Sequence, residues 1–78
     1  MKVHRVEVLW ADAAGHPGWF TPEEVADVDL AVIQSIGFLV TKSAKVIRIG
    51  MSFNQASGDV GDILTIPRCT VLKMRRIR

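Results

Sequence analysis

From Val46 to Phe53 apolar and polar positions alternate. Ile47, Ile49, Met51 and Phe53 fall on one face, and Val46, Arg48, Gly50 and Ser52 on the other. That two-residue period predicts a strand with one side in a core. Val3 to Trp10 repeats it: Val6, Val8 and Trp10 face inward while Arg5, Glu7 and Leu9 face outward. Two shorter runs, Ile63–Ile66 and Val71–Ile77, flank Pro67-Arg68-Cys69-Thr70, which reads as a proline corner between strands. Val32 to Thr41 is apolar at Val32, Ile36, Phe38, Leu39 and Val40, which suits a buried strand or a continued helix. Its β-branched content favours the strand, with Gly37 permitting a bend or a close backbone contact.

Between these runs the chain is punctuated. Gly15, Pro17 and Gly18 make Ala11 to Phe20 a loop. Thr21-Pro22-Glu23-Glu24 is a helix start: the Thr21 hydroxyl caps free backbone N–H groups and Pro22 presets φ. The two acids suit the positive end of the helix dipole, and Thr21 and Glu24 have capping-box spacing. The helix is predicted to be short, because Val28-Asp29-Leu30 leads into β-rich sequence. Thr41 to Lys45 is a polar turn and Asn54 to Asp62 a long loop. The expected fold is mainly β with one short α-helix, a single domain over residues 1–78. Five strands in so short a chain fit a small, strongly bent antiparallel sheet or barrel. The competing α+β arrangement needs a helix long enough to cover a sheet face.

Seventy-eight residues with 49% hydrophobic content exceed any disordered composition, yet they lie near the lower limit for a self-sufficient core. Surplus apolar surface and open sheet edges predict a homo-oligomer. A single cysteine, Cys69, excludes an internal disulfide and fits a reducing compartment. The opening strand does not read as a secretory signal, and Leu30 to Val40 is too short to span a bilayer, so a cytoplasmic protein without a membrane partner is expected. Charge is unevenly spread around a net of +2. Arg68, Lys73, Arg75, Arg76 and Arg78 place five of ten basic residues in the last eleven positions, which hold no acid. The first 67 residues hold five basic and eight acidic residues, a net of −3. Such a basic end can contact phosphate on a nucleotide or nucleic acid, or complement the acidic Glu23, Glu24, Asp27 and Asp29 of another subunit.

Candidate chemistry concentrates between Trp10 and Trp19, where both tryptophans lie with Asp12 and His16. Loop aromatics can stack on a base or sugar, at about 1–3 kcal/mol per contact, while Asp12 and His16 orient polar groups. The alternative is structural, with Trp10 in the core and Trp19-Phe20 docking the helix. Asp12 and His16 fall short of the three protein ligands of a catalytic zinc, and Asp59 and Asp62 lack calcium-loop spacing, so no metal or other cofactor is expected. Phosphate-cradling glycines, a nucleophile elbow and a shielded carboxylate pair are not seen, and Cys69 has no histidine near it in sequence. These readings point away from catalysis. A base-stacking sheet would want aromatics two apart on a polar face, whereas Phe53 belongs to an apolar one.

Val8-Leu9-Trp10-Ala11-Asp12-Ala13, Gly18-Trp19 with Glu23-Glu24, Ser35-Ile36-Gly37-Phe38-Leu39 and Ile66-Pro67-Arg68-Cys69-Thr70-Val71 together resemble small proteins encoded by tailed bacteriophages. That resemblance implies expression in a host cytoplasm and supplies no activity. The closing strand–proline–strand pattern looks like the last corner of Sm-like and SH3-like small barrels. An aspartate–asparagine loop of the RNA-binding Sm-like kind is not clear between the middle strands. The function expected is therefore non-enzymatic binding, first of a host or virion protein. Sequestering a small anionic nucleotide-like ligand and weak nucleic-acid binding are the alternatives.

Overall fold

The computed structural model describes residues 3–77. Its elements are β1 (Arg5–Asp12), α1 (Pro22–Val25), β2 (Ala31–Lys42), β3 (Val46–Phe53), β4 (Val60–Pro67), a 3-10 turn (Arg68–Thr70) and β5 (Val71–Ile77). The five strands form one antiparallel sheet in the order β4-β3-β2-β1-β5. Val32–Thr41 is thus a strand, lengthened at both ends.

The order forces the sheet to curl. β4 and β5 are its two edges, and a flat sheet would hold them about 19 Å apart at ordinary strand spacing. The three-residue turn joining them advances only about 6 Å. The edges meet at that corner, although β4 and β5 share no ladder and the sheet stays open. Pro67 fits there because it ends an edge strand, where its missing N–H costs no ladder bond. Thr70 Oγ1 donates to the Pro67 carbonyl at 2.7 Å, and the Arg68 N–H donates to the Lys45 carbonyl at 2.8 Å. The Arg68 guanidinium donates to the Ser43 carbonyl at 3.0 Å, so the corner is tied to the β2–β3 turn.

Inside the curl lie Val6 and Val8 from β1, Ile47 and Ile49 from β3, and Ile66 from β4, all buried. Trp10, Leu39, Leu64, Val71 and Met74 pack around them. The alternation of β1 and of the first half of β3 therefore has the predicted sense. At Met51 it does not bury the side chain, which is 45% exposed. β2 can lie close to β3 because Gly37 has no side chain: a Cβ there would come within 2.7 Å of the Gly50 carbonyl oxygen. The β2–β3 register shifts between Leu39 and Thr41, and the β1–β5 register between Leu9 and Trp10. Such irregularities increase local twist and help a sheet to bend.

β4 begins at Val60, three residues before the apolar run, because Val60 pairs with Phe53 and Gly61 with Ser52. Asp62 interrupts this stretch at φ 56, a left-handed conformation that aspartate tolerates better than most residues. Among the described residues no helix is long and apolar enough to cross a membrane.

Candidate functional site

The β1–β2 ladder ends on the pair Asp12 and Ala31. Beyond it, residues 13–30 form an arm of eighteen residues, long for a connection in so small a domain. One turn of helix stiffens the arm. The Glu24 N–H donates to Thr21 Oγ1 at 3.3 Å, as the capping spacing predicts, and Thr21 Oγ1 donates to Glu24 Oε1 at 3.0 Å. Lower down, His16 Nε2 lies 3.2 Å from the Asp29 carbonyl oxygen and clips the arm's two sides together. Asp29 Oδ1 accepts from the Leu30 N–H, and Asp12 Oδ1 from the Ala13 N–H, both at 2.8 Å. These polar groups shape the arm locally.

Its large apolar side chains, apart from the half-buried Val28, face water. Trp19 is 101% exposed, so it rests on nothing, and Phe20, Val25 and Leu30 are exposed with it. Trp19-Phe20 therefore does not dock the helix onto the sheet. Trp10 has a different fate: it packs against the core, and its indole N–H donates to Ser35 Oγ at 3.1 Å. The four residues singled out in this segment thus serve separate purposes. Trp10 belongs to the sheet, Asp12 to the strand end, His16 to the neck of the arm and Trp19 to its surface.

The apolar surface continues along β2, where Val32 (61% exposed), Ile36 and Val40 are open to solvent. The expectation of a buried strand thus fails at these three positions. Even-numbered residues from Val32 to Phe38 occupy one side of β2, and β1 supplies only Leu9 and Ala11 beside the aspect that Val32 and Gln34 present.

The basic residues divide as well. Glu7, on β1 between β2 and β5, accepts from Arg75 Nε at 3.0 Å, from Arg75 Nη2 at 3.4 Å and from Gln34 Nε2 at 2.7 Å. This polar tie spans β5, β1 and β2. The Arg75 hydrogen bonds, followed by the Gln34 hydrogen bond, hold the Glu7 carboxyl below the usual carboxylate range, while Glu7 raises the Arg75 pKa. Arg68 braces the corner, and Lys73 and Arg76 are exposed on β5. Arg78 lies outside the described residues.

A depressed folded-state pKa means that the Glu7 tie contributes fully above the unfolded carboxylate range and is lost as pH falls through the lower folded value. The melting-temperature advantage of the unmodified chain over Glu7→Gln should accordingly shrink as the medium is acidified from neutrality through that range. An advantage that is constant or grows on acidification would show that the tie does not hold the carboxylate ionised.

Cys69 is an exposed free thiol in the corner, Asp59 supplies a carbonyl that accepts from the Asn54 N–H at 2.8 Å, and Asp62 forms the kink in β4. Among the described residues no three His, Cys, Asp or Glu side chains gather as metal ligands would. Comparison of the chain with protein-family models, with curated proteins and with solved structures finds no match.

Proposed function

We propose that this chain is a non-enzymatic accessory protein that acts by binding another protein, with the arm 13–30 as its contact element. The observation that carries this reading is Trp19, a large aromatic held entirely in water at the end of a stiffened excursion from the sheet. Tryptophan is the residue most often found to anchor protein interfaces, and burying it on a partner recovers apolar free energy that the isolated chain forgoes. Phe20, Val25 and Leu30 widen the contact around it. The local hydrogen bonds of Asp12, His16 and Asp29 support a preformed arm, which lowers the ordering cost of association.

The partner proposed is a host or virion protein, in keeping with the resemblance to phage-encoded proteins. Trp10 and Trp19 do not favour a nucleotide clamp, since one indole is engaged at the core and the other touches nothing. Trp19→Ala is the test. Diluted to monomer, its melting temperature should match that of the parent, because exposed substitutions change stability by less than about 0.5 kcal/mol. Proteins captured from the host by the parent chain should be lost from the variant. Equal capture by both chains would remove the arm from function, and a fall in melting temperature would make Trp19 a structural residue.

A further inference from the structure

We propose that the arm is also a self-association element, seated in the assembled protein on the basic body of a second copy of this chain. The proposal rests on the reading above that the arm makes protein contacts, and it names one occupant for it. Three observations converge on that occupant.

The first is area. The chain exposes 5984 Å², whereas a compact folded chain of this mass exposes about 4,700 Å². The excess, about 1,300 Å² against 5984 Å², is more than the roughly 800 Å² that each partner buries in a standard interface, and falls within the range of permanent dimers. The second is extension. The radius of gyration is 16.1 Å against about 11.5 Å for a compact domain of this length, with a long axis of 55 Å. The surplus surface therefore belongs to a projecting element, as expected of a part that reaches another body.

The third is charge. Residues 13–30 contain Glu23, Glu24, Asp27 and Asp29 and no lysine or arginine. The rest of the chain has ten lysines and arginines against four acids, Glu7, Asp12, Asp59 and Asp62. One molecule thus carries a −4 arm and a +6 body. Two copies placed arm to body satisfy both fields, whereas arm against arm opposes like charges. Trp19, Phe20 and Leu30 on such an arm supply the desolvated centre, and Glu23 and Asp27 the charged rim.

Sedimentation equilibrium of the purified full chain tests this without any foreign partner. The parent should assemble, and its dissociation constant should rise with salt, because the rim pairs are screened. Trp19→Ala should raise that constant at least tenfold, and so should the double variant Glu23→Lys with Asp27→Lys. Both variants should keep the parent's melting profile when diluted to monomer, since the altered side chains are exposed. A parent that stays monomeric overturns the self-association while leaving host-protein capture through Trp19 as a separate result. A parent that assembles equally well with either variant places the interface elsewhere and overturns it too.

Discussion

Ile49→Ala is expected to cost about 2–5 kcal/mol of folding free energy and to lower the melting temperature by at least about 10 °C. Ile49 is fully buried and lies opposite Leu39 of β2 and Leu64 of β4, so its side chain fills the centre of the curl between three strands. Five buried hydrophobic residues make up the central cluster among the described residues, and all of them line that inner side. A domain of this length holds about 4–12 kcal/mol in total, so the loss of one central isoleucine removes a large share. Ile63→Ala is the comparison. Ile63 is also on β4 and also a large aliphatic, but it is 46% exposed, and its loss should cost under about 1 kcal/mol. Denaturant titration of both variants at one low protein concentration keeps self-association from contributing. Equal losses would mean that the inner layer is not what holds the sheet in its curled form.

The sense of that layer was readable from side-chain order because a strand's two faces alternate strictly. Val6 and Val8 against Arg5 and Glu7, and Ile47 and Ile49 against Arg48, leave one orientation that buries no charge. The short helix was readable for a similarly local reason, since Thr21, Pro22 and Glu24 act on the backbone within one turn. Pairings between distant residues were not accessible in this way. Nothing local to Val71–Ile77 announces that it lies beside β1 and not beside β4, the strand just before it. Gly61 and Asp62 are loop-forming residue types, and only the pairing of Val60 and Gly61 with β3 draws that segment into β4.

The candidate site was legible in part. Residue types marked the segment from Trp10 to Trp19 as the place where aromatic and polar side chains gather, and the arm grows from it. The separation of the two tryptophans was not visible. Trp10 holds the last apolar position of an alternating strand and inherits a place beside the core, whereas Trp19 lies beyond the final β1–β2 pair, where no sheet remains to cover it. Identical side chains nine residues apart are assigned opposite fates by where a ladder stops.

Gly37→Ala is expected to destabilise the chain by about 1–3 kcal/mol, the usual cost of overpacking a tight site. Two effects oppose each other. Alanine restricts the unfolded chain more than glycine and by itself would stabilise by about 0.4–1 kcal/mol. Against that, the new Cβ would sit 2.7 Å from the Gly50 carbonyl oxygen, 3.2 Å from Met51 Cε and 3.3 Å from Ile49 Cβ. The Met51 side chain is long and partly exposed and can swing away, but the Gly50 carbonyl belongs to the backbone and cannot. Gly50 also pairs with Phe38 on one side and Ile63 on the other, so moving it disturbs β2 and β4 together. The steric cost therefore exceeds the entropic gain. Gly61→Ala isolates the opposite case: the nearest atom to its new Cβ is Ser52 Cβ at 3.9 Å, an ordinary contact, and the substitution should be neutral or slightly stabilising. Thermal melts of the two variants should therefore move apart, Gly37→Ala downward and Gly61→Ala level or upward. A shared direction would show that β2 does not cross β3 as closely as the Gly37–Gly50 approach requires.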